Sequence, residues 1–207
     1  MKNLTTIALI AAATASTAFG ASTVNVKYTG TASGQNVKIT YNGNTSTVFA
    51  GQLKHTLSGA TGEYAYTNKQ WLTYCTDLAQ YVTSSTKVYT FDTLPNMPGN
   101  APMGAAKGQA VQNLFNFANG AQVASNITSD YATAFQLAIW EIVTDYSGNN
   151  SIAGLSLNSG NFKAKNTSGN SLSNNITNIF NTLLAGAFTP ALTSVDVVGV
   201  SSNSYQD

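Results

Sequence analysis

The sequence predicts an α+β protein: an antiparallel β-barrel or β-sandwich with an inserted helical subdomain of about three helices. Three observations lead to this prediction. The first part of the chain alternates apolar and polar residues, as half-buried strands do, whereas the second part repeats apolar residues every three or four positions, as helices do. A short apolar segment near the end then predicts a closing strand. Strands followed by helices are typical of α+β domains.

The predicted strands form an antiparallel meander. Val37, Ile39 and Tyr41 alternate with polar residues and precede Asn42-Gly43, a pair that favours the type I′ turn of a β-hairpin. The predicted strands cover 24–28, 37–41, 45–50, 53–57, 71–77, 87–91 and 195–200, with one more short strand at 155–157 and the beginning of another at 204–207.

Three segments in the second half have helical periodicity. The first follows Pro102, which suits the first turn of a helix. The second is capped by Ser129 or Asp130 and contains the periodic segment 133–146. The third extends from an N-cap at Ser173 to a stop at Gly186. The helical part is therefore expected at roughly 102–187.

The composition excludes several classes of function. Only 8% of the 207 residues are charged, none is arginine, and the formal net charge is +1. Nucleic-acid binding through a basic patch is therefore not expected. The length suits one domain with a proper core, and the many Thr and Tyr residues are typical of extracellular β-rich proteins.

The N-terminus has the three parts of a secretory signal peptide. A lysine near the start is followed by an apolar run from Leu4 to Ala15 and by a small-residue cleavage site at Ala18-Phe19-Gly20. We therefore predict a signal peptide at 1–20 and a single mature module at 21–207. No later segment is a candidate transmembrane helix. The protein is expected to be secreted or attached to the cell surface.

Turnover enzymology is not expected. The close helical acid pair Glu141 and Asp145 is read as a solvated helix edge, and His55 as a partly exposed strand residue. A single histidine with no nucleophile-elbow motif gives no serine triad and no base for a cysteine protease. Cofactor loops and metal-ligand clusters are also missing from the sequence, so neither a cofactor nor a metal is predicted.

Cys75 is the one cysteine of a chain predicted to be exported. It cannot form an internal disulfide, so it is a buried inert thiol, an intermolecular link or a reactive sulfur. A thiol held against a side-chain carboxamide away from water can displace ammonia and form an internal thioester. In the predicted strand 71–77, Trp71, Thr73, Cys75 and Asp77 share one face.

Gln136 and Trp140 are the unusual residues of the central helix. They lie four positions apart on one shoulder of its apolar stripe, so that an amide and an indole N–H face the same packing partner. We predict that this partner is the segment 74–77. The carboxamide of Gln136 would then lie beside Cys75.

Three sequence blocks resemble those of the thioester domains of bacterial surface adhesins. They are Tyr74-Cys75-Thr76-Asp77, Phe135-Gln136-Leu137-Ala138-Ile139-Trp140 and, in part, Tyr205-Gln206-Asp207. The resemblance implies a thioester between Cys75 and Gln206, with Tyr74, Asp77, Gln136 and Trp140 as supporting residues. Gln136 is the alternative acyl partner. The chain departs from the family pattern at Phe135, where threonine is usual, and at Asp207, which follows Gln206.

A looser similarity is to exported bacterial proteins that share these blocks and carry a Pro-Glu-Pro sorting tail. The function implied is adhesion: an amine on a target surface, such as a protein lysine, attacks the acyl group and becomes covalently bound. This is a single-turnover reaction and not enzymatic catalysis. The alternative is an extracellular structural or biofilm-matrix protein of the same fold, which self-associates and has no functional thioester.

Overall fold

The computed structural model describes residues 22–189 and 197–207. The predicted signal peptide and the first two residues of the predicted strand 195–200 lie outside these residues. Among the described residues the protein is α+β, with a six-stranded antiparallel sheet and four α-helices. The strands are β1 Thr23–Tyr41, β2 Asn44–Ser58, β3 Gln70–Thr73, β4 Lys87–Asp92, β5 Phe162–Asn166 and β6 Gly199–Ser201; the helices are α1 Gly104–Phe117, α2 Gly120–Val123, α3 Ser129–Asp145 and α4 Asn174–Ala187.

The long hairpin of β1 and β2 organises the sheet. Its turn is at Asn42 and Gly43, both of which have positive φ as a type I′ turn requires. Strand order is β3-β2-β1-β4-β6, and β5 pairs with the other half of β1. The two end strands, β3 and β6, do not pair with each other, so the described strands leave the sheet open and do not support a closed barrel.

Bulges divide this hairpin into two halves. The register of β1 against β2 shifts between Tyr28 and Gly34. Gly34 and Gly51 face each other there with positive φ, and a Cβ on Gly51 would collide with the carbonyl oxygen of Ser33. The N-terminal half of β1 pairs with β4 and its C-terminal half pairs with β5. Each half therefore carries its own neighbouring strand.

The helices cover the half of the hairpin that is nearer its turn. Helix α3 packs against β1, β2 and α4, and the Thr133 hydroxyl donates to the Ala50 carbonyl oxygen at 3.2 Å. The large core lies between them and includes Phe135, Phe162 and Phe180, none more than 1% exposed. A smaller core at the open end of the hairpin, away from the turn, includes Val24, Val26, Leu57, Tyr89 and Phe91.

Several local predictions need correction. Thr128, and not Ser129 or Asp130, is the N-cap of α3, because its hydroxyl accepts from the Tyr131 N–H. Residues 155–157 form no strand; the strand is β5, whose lysines alternate with buried Phe162 and Ala164. The predicted strand 71–77 ends at Thr73, and 204–207 lie beside other segments without forming a strand. Ser173 caps α4 as predicted.

Candidate functional site

Cys75 lies just after β3, where the chain leaves the sheet. Residues 74–77 have no regular secondary structure, and Cys75 is only 3% exposed. Its thiol donates to the carbonyl oxygen of Asp77 at 2.8 Å, and its Sγ accepts from the N–H of the same residue at 3.2 Å. A tight turn therefore holds the sulfur in a fixed position.

Gln136 attaches this turn to α3. Its Oε1 accepts from the Cys75 N–H at 2.9 Å, and its Nε2 donates to the Cys75 carbonyl oxygen at 2.7 Å. The side chain is 1% exposed. One buried amide thus supplies hydrogen bonds to both the N–H and the carbonyl group of Cys75. Strand pairing no longer supplies these bonds after Thr73.

Gln206 reaches the same turn from the end of the described chain. Its Nε2 donates to the carbonyl oxygen of Asp77 at 3.1 Å. The backbone carbonyl oxygen of Gln206 accepts from the Tyr89 hydroxyl at 3.1 Å, and its backbone N–H donates to the Tyr81 carbonyl oxygen at 3.4 Å. The thiol of Cys75 and the carboxamide of Gln206 therefore share one hydrogen-bond acceptor.

Asp207 fixes the turn by its backbone and its side chain. Its carbonyl oxygen accepts from the N–H groups of Thr76 and Asp77 at 2.8 and 3.3 Å. Its carboxylate accepts from the N–H groups of Gly99 and Ser202. Burial raises the pKa of this carboxyl to about 6, although these hydrogen bonds oppose the shift. The sequence indicated neither this role nor that of Tyr89, because both depend on long-range contacts.

Trp140 lies one helical turn after Gln136 and is 2% exposed. Its ring packs at 6.1 Å, centroid to centroid, from that of Phe162. Its Nε1–H makes no regular hydrogen bond among the described residues, and its interaction with Cys75 lowers the pKa of the thiol, against the larger effect of burial. A buried N–H without a hydrogen-bond acceptor costs free energy, so such a group often marks a functional site.

The electrostatic setting keeps the thiol protonated. Burial raises the pKa of Cys75 far above its usual range; the Asp77 backbone N–H opposes this shift, whereas the Asp77 carboxylate adds to it. Burial also raises the pKa of Asp77, against hydrogen bonds from the backbone. Asp77 Oδ1 accepts from the Ala79 N–H at 2.6 Å, while the buried Oδ2 has no partner among the described residues.

Tyr74 supports the turn from its other side. Its hydroxyl donates to the Val123 carbonyl oxygen of α2 at 3.2 Å. Its ring packs edge-on against Phe135 and Phe115, with centroids 4.8 and 6.3 Å away. Tyr74 thus connects the segment before Cys75 to the helices.

Glu141 is not at a solvated helix edge as the sequence suggested. It is 0% exposed, and its Oε1 accepts from the Ser156 N–H at 2.7 Å. Burial raises its pKa to about 8. His55 is half-buried, with its Nδ1 2.7 Å from the Thr73 hydroxyl, and burial lowers its pKa to about 4. Segment 151–157 covers α3, which the helical pattern alone could not reveal.

A cavity of about 490 Å³ adjoins the site. Cys75, Thr76, Gln206 and Asp207 contribute to its wall, and most of the remaining surface is apolar. The described residues contain no cluster of three or more potential metal ligands. No helix in the described ranges has the length and apolarity needed to cross a bilayer.

Searches against family models, curated proteins and solved structures each returned no match for this chain.

Proposed function

We propose that the chain is a secreted or cell-surface adhesion-type protein that forms an internal thioester between Cys75 and Gln206 and binds amine groups on a target surface covalently. One observation carries the proposal: Cys75 Sγ and Gln206 Nε2 lie 2.8 and 3.1 Å from the same Asp77 carbonyl oxygen. The distance between Cys75 Sγ and Gln206 Nε2 therefore cannot exceed the sum of these two distances. The amide carbon that the sulfur would attack is one bond away from this Nε2, and holding two groups near each other raises their effective concentration.

Thioester formation needs no co-reactant. The Cys75 sulfur attacks the Gln206 amide carbon, the new C–S bond forms, and the C–N bond breaks. The thiol proton and the NH₂ group leave together as ammonia. In the proposed mechanism the Asp77 carboxylate carries that proton from sulfur to nitrogen, since its Oδ2 is buried and has no hydrogen-bond partner among the described residues.

The surroundings suit this reaction. Cys75 is only 3% exposed and the cavity beside it is mostly apolar, which disfavours hydrolysis of the acyl group. The Trp140 indole N–H is a buried donor without a regular hydrogen bond that interacts with Cys75, and we assign it to the oxyanion of the tetrahedral intermediate. Gln136 holds the cysteine backbone in place through two hydrogen bonds and is the supporting amide in this scheme.

Target binding is the second step. A neutral amine on the target attacks the Gln206 acyl carbon, an amide bond forms, and the Cys75 thiol is released with a proton from the amine. Each molecule reacts once. The target in this proposal is an amine-bearing surface ligand such as a protein lysine.

Intact-mass spectrometry tests the proposal. The mature protein should weigh one ammonia less than its sequence, and methylamine should add and release one reactive thiol. Cys75→Ala should have its full sequence mass and should not react with methylamine. A wild-type protein of full mass, whose thiol reacts only after denaturation, would exclude the thioester.

The second candidate is an extracellular structural or biofilm-matrix protein of this fold that self-associates and has no thioester. The observation in its favour is that the Cys75 thiol is buried, protonated and hydrogen-bonded to backbone, as an inert core thiol would be. The same mass measurement separates the two candidates.

We also propose that the fold is a β-sandwich-like arrangement with an inserted helical part. Its support is the bulged hairpin, whose halves pair with different strands and contribute to different cores.

A further inference from the structure

We propose that the cavity beside Cys75 and Gln206 binds the apolar stem of the attacking amine, so that the preferred nucleophile is a small primary amine on an unbranched alkyl chain. This inference rests on the proposed thioester, and it adds the class of amine that the thioester accepts. It follows from the position, the lining and the charge of the cavity.

The cavity lies between the two cores. Leu53 of the large core and Leu57 of the small core both line it, and His55 lies between them along β2. Protein interiors seldom contain voids much larger than a water molecule. A volume of about 490 Å³ is instead within the range of small-molecule sites. The gap between the cores is therefore large enough to hold a ligand.

The lining is apolar where an alkyl stem would lie. Trp71, Phe91 and Ile139 are among the side chains that form it, and Tyr66, 58% exposed, lies on its wall next to solvent. Burying each methylene of a ligand against such a surface is favourable, and the contributions add along the chain. Unbranched stems longer than one carbon should therefore gain affinity.

One part of the cavity wall contains the reacting atoms and polar residues next to them. Cys75, Thr76, Gln206 and Asp207 all contribute to the lining. Asp207 is the one acidic residue among the described lining residues, and no lysine is among them. The negative charge of Asp207 favours the approach of an ammonium group to this part of the cavity. The cavity therefore fits a ligand with an amine at one end and a hydrocarbon at the other.

The reaction rate tests the preference. Wild-type protein is incubated with methylamine, butylamine or octylamine at equal concentrations of free amine, and adducts are followed by intact mass. We expect octylamine to react at least about tenfold faster than methylamine, with butylamine between them. Octylamine reacting no faster than methylamine overturns the inference, although the methylamine adduct would still support the thioester.

Variants locate the preference. Leu57→Trp, which fills the cavity, should remove most of the octylamine advantage. The matched control Val88→Trp changes an exposed residue of β4 outside the cavity and should retain it. If Leu57→Trp fails to fold, Leu53→Phe replaces it. Retention of the full advantage in a folded, cavity-filled variant contradicts the inference.

A binding measurement is independent of the thioester. Cys75→Ala cannot form one, yet its cavity should still bind 1-octanol and raise the melting temperature, whereas methanol at the same concentration should not. The absence of any shift with 1-octanol overturns the cavity site even if methylamine adds to the wild type. A shift in Cys75→Ala, together with full mass in the wild type, would reject the thioester and with it the amine preference.

Discussion

The thiol of Cys75 and the side-chain nitrogen of Gln206 lie against one backbone oxygen, that of Asp77, although the two residues are far apart in the chain. A backbone carbonyl that accepts from both side chains limits their separation to the sum of the two hydrogen-bond distances.

The acyl partner can be identified by substitution. Gln206→Ala should restore the full sequence mass and abolish methylamine addition, because the acyl carbon is removed. Gln136→Ala should retain at least part of the ammonia deficit. The reverse result, with the deficit lost only in Gln136→Ala, would assign the acyl group to Gln136.

Gln136→Ala should also lower stability. It removes two buried hydrogen bonds and leaves the N–H and carbonyl groups of Cys75 unsatisfied, which costs about 2–4 kcal/mol in the free energy of unfolding. Urea denaturation measures this difference. Gln109→Ala, on the exposed face of α1, is the control and should change stability little. Equal losses in both variants would contradict the supporting role.

Trp140→Phe tests the unsatisfied indole N–H. A phenyl ring replaces the indole, so the donor is lost together with part of the core packing, and the melting temperature should fall to some extent. We expect thioester formation after refolding to slow by about tenfold or more, since one oxyanion donor commonly contributes at least that much. The mass deficit is followed over time, and the melting temperature is the control. An unchanged rate would remove Trp140 from the mechanism.

Glu141 should make stability fall as pH rises. Its pKa is about 8 in the folded protein against 4.5 as the ordinary value, so the folded state holds the proton more strongly. The contribution of Glu141 to the free energy of unfolding is fully present below pH 4.5 and is lost as pH rises towards 8. The loss amounts to a few kcal/mol, at about 1.4 kcal/mol per pKa unit. Glu141→Gln should remove this dependence in urea denaturation at several pH values. A parallel pH profile for the variant would contradict the buried carboxyl.

His55 should have the opposite effect at lower pH. Its pKa is lowered from 6.5 to about 4, so between these values the unfolded chain binds a proton that the folded protein does not. The contribution of neutral His55 to the free energy of unfolding is fully present above pH 6.5 and is lost as pH drops towards 4. Asp207 titrates near pH 6 with the opposite sign, so the comparison is between wild type and His55→Asn. The variant should lose less stability on acidification.

Local signals in the sequence predicted the elements they control. Asn42-Gly43 gives the hairpin turn because both residues tolerate positive φ, and Ser173 caps α4 because its hydroxyl accepts from the Ile176 N–H. Helical spacing placed Gln136 and Trp140 on one side of α3, facing Cys75. Such features depend on neighbours a few residues away.

What the sequence did not predict depends on distant partners. Strand β5 alternates lysine with apolar residues, which suits an edge strand. The segment becomes a strand only by pairing with β1, which lies far away in the sequence. Glu141 is buried because the segment around Ser156 covers it. The strand 71–77 ends early because Gln136 and Asp207, from elsewhere in the chain, replace its ladder hydrogen bonds.

The contact between Thr76 and Asp207 spans 131 positions, and this has a consequence for biogenesis. Ribosomes make the cysteine long before they make the residues that enclose it. The turn around the sulfur can mature only after Asp207 has emerged and joined it. The thioester proposed above can therefore form only after synthesis has passed Gln206 and Asp207, because until then the sulfur lacks that acyl partner.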